Sequence, residues 1–104
     1  MTQQQLASVL SELSKECRSV SSESDYTKLI QKYDMVFIGE KMNIINTQEL
    51  CVTLSKCFGF SISLDELNRM VPTVCGSIGM KCMPEFSLDC PNPNIPYCYS
   101  ITLW

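Results

Sequence analysis

The chain has 104 residues, with 8 Lys plus Arg against 11 Asp plus Glu, no His, 7 Cys and a single Trp. Its 45% hydrophobic and 18% charged content is that of one slightly acidic globular domain rather than a disordered tail. A net charge of −3 lacks the positive footprint of nucleic-acid and anionic-membrane binders. The absence of His removes Ser/His and Cys/His nucleophilic catalysis, His-ligated zinc and an imidazole pH switch.

The opening residues Met1 to Leu6 carry neither a basic n-region nor an apolar h-region. No apolar run reaches the roughly 18 to 20 residues that span a bilayer. Seven cysteines, at Cys17, Cys51, Cys57, Cys75, Cys82, Cys90 and Cys98, are an odd number. Without an export signal they read as reduced, mostly buried thiols in a cytoplasmic protein.

Along the chain, residues 1–20 place Leu6, Val9, Leu10, Leu13, Cys17 and Val20 on one stripe of an amphipathic helix. The polar run Ser19 to Asp25 ends it, and Ser24 or Asp25 caps a second helix holding Tyr26, Leu29, Ile30 and Tyr33. Met35 to Ile38 and Met42 to Ile45, around Gly39, read as two short strands about a turn, with a helix continuing from Tyr26 as the alternative. Asn46 followed by Glu49 opens a capped helix with Leu50, Cys51, Leu54, Cys57 and Phe58 inside, and Gly59 closes it. Ser63 and Glu66 repeat that start for a short helix with Leu67, Met70 and Val71 inside, which Pro72 is expected to stop. Residues 26–71 thus form a helical core.

From residue 73 to 104 the prolines 84, 91, 93 and 96 with Gly76 and Gly79 forbid a long helix and favour short strands. Tyr97 to Trp104 alternates as a last strand. The expected fold is α+β: three to four helices in residues 3–71, then short β-strands in the Pro/Gly-rich last third. This order of elements, helix, turn and helix from Asn46 to Val71 followed by strands, resembles a winged-helix or helix-turn-helix domain over about residues 26–104. The resemblance implies DNA binding through the second helix of the pair. That helix would present Asp65, Glu66, Asn68 and Arg69, a poor set for gripping phosphates. The negative charge is also spread evenly over residues 1–34, 35–71 and 72–104, so no basic end is hidden in the average. The passage from Glu49 to Ile62 looks like the helix that follows the carrier serine in acyl carrier proteins. Ile44 stands where that serine would be, and carrier chemistry is excluded.

Cys75, Cys82, Cys90 and Cys98 could enclose zinc or pair as disulfides. They lack the close Cys pairs from which structural zinc sites are built, and no metal or other cofactor is expected. No two carboxylates are placed together by the sequence for acid–base work, and Gly76-Ser77-Ile78-Gly79 lacks the context of a phosphate loop. The chain is therefore expected to be non-enzymatic and to bind another protein, as an inhibitor or adaptor of the kind phages and mobile elements encode. A helix-turn-helix DNA regulator is the alternative. The contact is expected on the last strand, at Tyr97, Tyr99 and Trp104, because a strand ending the chain is expected at a sheet edge and Tyr and Trp dominate interface energies; a central strand with Trp104 in the core is the equal alternative. Pairing of the first helix with its copy would give a homodimer. Neither nucleic acid nor membrane is expected as a partner.

Overall fold

The computed structural model describes residues 1–86 and 96–104. The elements run α1 (Gln3–Arg18), α2 (Glu23–Tyr33), β1 (Ile44–Asn46), α3 (Thr47–Phe58), α4 (Leu64–Ile78), β2 (Lys81–Glu85) and β3 (Cys98–Thr102). Four helices and a three-stranded antiparallel sheet make an α+β domain, and the order β1-β3-β2 sets β3 in the centre. The helix pair α3–α4 is followed by β2 and β3, which pair antiparallel. None of the helices is long and apolar enough to cross a membrane.

The caps explain most of the boundaries. Thr2 and Gln5 bond reciprocally in a capping box at the start of α1. Asn46 accepts from the Glu49 amide at 2.9 Å and Ser63 from the Glu66 amide at 3.2 Å. Gly59 and Gly79 close α3 and α4 in the left-handed conformation, at φ 73° and 74°. At α2 the cap is Ser22, whose hydroxyl accepts from the Asp25 amide, not Ser24 or Asp25. The Asp25 carboxylate instead accepts from the Ser21 hydroxyl, so it works one turn inside the helix.

The expected stop at Pro72 is overturned. Helix α4 continues through it to Ile78, so residues 73–78 are helical rather than part of a β-rich segment. Proline lacks the amide for the carbonyl four residues back, which costs about 3 kcal/mol in a helix interior. Against that, Val71, Val74 and Cys75 continue the stripe begun by Leu67, and all four are buried. Burying a Val-sized side chain contributes about 1.5–3 kcal/mol, and stopping at Val71 would forfeit both Val74 and Cys75. The outer face, where Pro72 sits, is solvent-exposed.

Between α2 and α3 the chain turns as a tight hairpin rather than a continued helix. Ile38 and Ile44 exchange both backbone hydrogen bonds. Met35 and Phe37 point into the core while Val36 and Ile38 are exposed, the period-two alternation of a strand. Gly39 is required there: its φ is 94°, and a Cβ would lie 2.9 Å from Ile44 Cδ1. One strand thus precedes α3, within the stretch the sequence assigns to a helical core.

One core is shared by all these elements, with Leu6, Leu10 and Leu13 of α1 meeting Leu50, Leu54, Leu67, Val71, Ile45 and Ile101. A polar node ties the layers together. The Thr47 hydroxyl donates to Asn68 Oδ1 at 2.8 Å and accepts from the Tyr99 amide at 3.0 Å, joining α3, α4 and β3.

Candidate functional site

The last strand lies at the centre of the sheet, which corrects its expected place at an edge. Its Ile101 is fully buried, and it pairs with β1 on one side and β2 on the other. Pro84 in β2 is the signal that points this way, because a proline without an amide belongs on an edge strand. The three aromatic residues of the last strand fall in different surroundings. Tyr97 is 51% exposed, beyond one end of β3. Tyr99 is partly buried against the core, and Trp104, 40% exposed, follows the other end.

Register decides what surrounds Trp104. Thr102 pairs with Ile44 of β1 and with Lys81 of β2. The start of β2 and the turn before β1 are therefore drawn to the Trp104 end, bringing Lys81 and Lys41 with them. Helix α1 is locked to the same end by its last turns. Ser14 is buried and donates its hydroxyl to the Leu103 carbonyl at 2.7 Å, and the Cys17 thiol donates to the Met42 carbonyl at 2.9 Å. Burial pushes the Cys17 thiol up from its ordinary pKa, so it stays protonated and able to donate. These contacts set Arg18 Cζ 5.8 Å and Lys41 Nζ 5.4 Å from the centroid of the indole, within cation–π range.

Two grooves meet at Trp104. The first, about 690 Å³, runs between α1 and the joint of α4 with β2, and Lys15, Arg18 and Lys81 line it with Ile78, Met80 and Leu103. The second, about 700 Å³, runs between α1, the start of α2 and the turn after Gly39, and includes Glu23, Glu40 and Lys41. The lone Trp is thus a ridge shared by two clefts. Sequence reasoning names Trp104 but not its cations, which lie 23 to 89 positions away along the chain and have no pattern that links them.

At the opposite end Tyr97 is exposed, as are Met83 in β2 and Phe86 just after it. The Tyr97 amide donates to the Glu85 carbonyl at 2.8 Å, and Asn68 Nδ2 donates to the Tyr97 carbonyl at 3.1 Å. The nearby Glu85 carboxylate accepts from Ser100 and Cys98. Burial and that carboxylate push the Cys98 thiol up to about 11. The Cys75 thiol is pushed up to about 12, by burial first and then by the adjoining Cys82. Neither is a thiolate nucleophile at neutral pH. The six described cysteines are unpaired, and Cys90 lies outside the described residues. Among the described residues no group of three or more His, Cys, Asp or Glu is placed to hold a metal ion. No family model, curated protein or solved structure matches this chain.

Proposed function

We propose that this chain is a non-enzymatic protein-binding module, an inhibitor or adaptor such as phages and mobile elements encode, acting in the cytoplasm with its thiols reduced. The observation that carries this reading is Trp104, which stays 40% exposed on the ridge between two grooves. A solvent-facing Trp flanked by clefts is what a protein interface uses as an anchor. The DNA-binding alternative has less support. The exposed face of α4, which that reading would put in the major groove, offers Asp65, Glu66 and Arg69 around Pro72, and phosphate contacts need Lys and Arg.

Trp104→Ala tests the reading. The wild-type chain and the variant are used as baits against a host lysate, beside a salt-dependent DNA shift assay. The expected outcome is one specific protein recovered by the wild-type chain and lost by an order of magnitude or more in the variant, in line with about 2 kcal/mol for an interface Trp. The variant's melting temperature should stay within a few degrees of the wild type. Equal recovery by both baits, or DNA binding that falls steeply with salt, defeats the proposal.

A further inference from the structure

We infer that the first groove at Trp104 receives an acidic segment of the partner protein, an apolar side chain lying on Ile78, Met80 and the indole while flanking carboxylates meet Lys15, Arg18 and Lys81. This rests on the protein-binding reading above and adds to it the chemistry of the partner. Charge placement argues it. The chain carries a net charge of −3 and only eight Lys plus Arg, yet three of them line this groove and Lys41 stands over the same indole. No Asp or Glu lines the groove among the described residues. The described ion pairs, Lys32 with Glu16 and Lys56 with Asp34, lie elsewhere.

Arg18 and Lys41 lie 5.8 and 5.4 Å from the indole centroid, and Lys15 and Lys81 line the groove with Arg18, so like charges face the same space and repel at short range. An incoming carboxylate relieves that repulsion. Part of the role of Lys15 and Arg18 is to face the negative end of the α1 dipole. That role leaves Lys81, which comes from β2, unexplained. The second groove sets Glu23 and Glu40 against the single Lys41, whereas the first sets Lys15, Arg18 and Lys81 against no Asp or Glu, so an acidic stretch is favoured on the first side of Trp104. A peptide is favoured over nucleic acid because the cations ring an apolar floor instead of following a track, and single-strand binders need successive aromatics along such a track.

The test pans a random peptide display library on the full chain, and follows binding of the selected peptides by the emission of Trp104, the lone Trp. Peptides with Asp or Glu on both sides of a Leu or Phe should emerge and shift that emission. Their affinity should fall tenfold or more in the Lys15→Glu/Lys81→Glu double variant, and less in the Lys15→Gln/Lys81→Gln variant. Circular dichroism checks that both variants keep the wild-type helix content. Selected peptides without acids, or peptides bound equally by the charge-reversed variant, overturn this inference while leaving the protein-binding reading standing. A library that yields no binder, with a single-stranded oligonucleotide shifting the Trp104 emission instead, overturns both.

Discussion

The two ends of β3 carry similar side chains in different electrostatic surroundings: Glu85 at one, and at the other three cations in one groove with Glu23, Glu40 and Lys41 in the next. At one end Tyr97 is exposed beside Glu85. At the other, Trp104 is exposed among Lys15, Arg18, Lys41 and Lys81. Exposure of an aromatic residue therefore says little by itself about what it meets. The difference comes from which elements are drawn to each end. The Tyr97 end receives the end of β2 and Asn68 of α4, whereas the Trp104 end receives the last turns of α1 and the turn before β1.

The comparison breaks most completely at the strand that both ends share. Ile101→Ala removes a fully buried side chain from the central strand and should cost about 2–5 kcal/mol, measured by urea unfolding. Both ends should fail together, with peptide binding at Trp104 lost along with the cooperative transition. Loss below about 1 kcal/mol would show that the sheet is not the common support of the two ends.

A smaller change separates them. Ser14→Ala leaves the Leu103 carbonyl without the hydroxyl it accepts from, and should cost about 1–3 kcal/mol. It also loosens α1 from the Trp104 end. Trp104 emission should shift toward that of a solvated indole, while amide exchange of Cys98 and Ser100 stays near wild type. Equal loosening of both ends would mean that this hydrogen bond serves the whole core.

Least affected should be Tyr97→Ala. Its side chain is half exposed, so unfolding free energy should move by no more than about 0.5 kcal/mol. Binding of acidic peptides at Trp104 should be unchanged. A tenfold loss of that binding would show one continuous surface along β3 and erase the distinction between its ends.

Local chemistry was legible wherever neighbouring residues settle it. The α1 stripe from Leu6 to Cys17 is buried as its spacing indicates, and the Asn46 and Ser63 caps sit where the sequence places them. The Gly39 turn is also present. Pro72 misled because its penalty is local, whereas the gain from burying Val74 and Cys75 comes from facing helices and the sheet. The position of β3 misled for a related reason. A strand's rank in a sheet depends on which strands need two partners, and only Pro84, on a different strand, hints that β2 belongs at an edge.

By itself, then, the sequence determined the apolar stripes of the helices, the caps at Asn46, Gly59 and Ser63, and the α+β class. Periodicity and capping act over a few residues, so the chain displays them directly. The tertiary structure alone decided that Lys15, Arg18, Lys41 and Lys81 should surround Trp104. Strand register at Thr102 and the Ser14–Leu103 hydrogen bond bring those four cations together from three separate elements. Coulombic neighbourhoods are set by distance in space, which sequence separation does not encode.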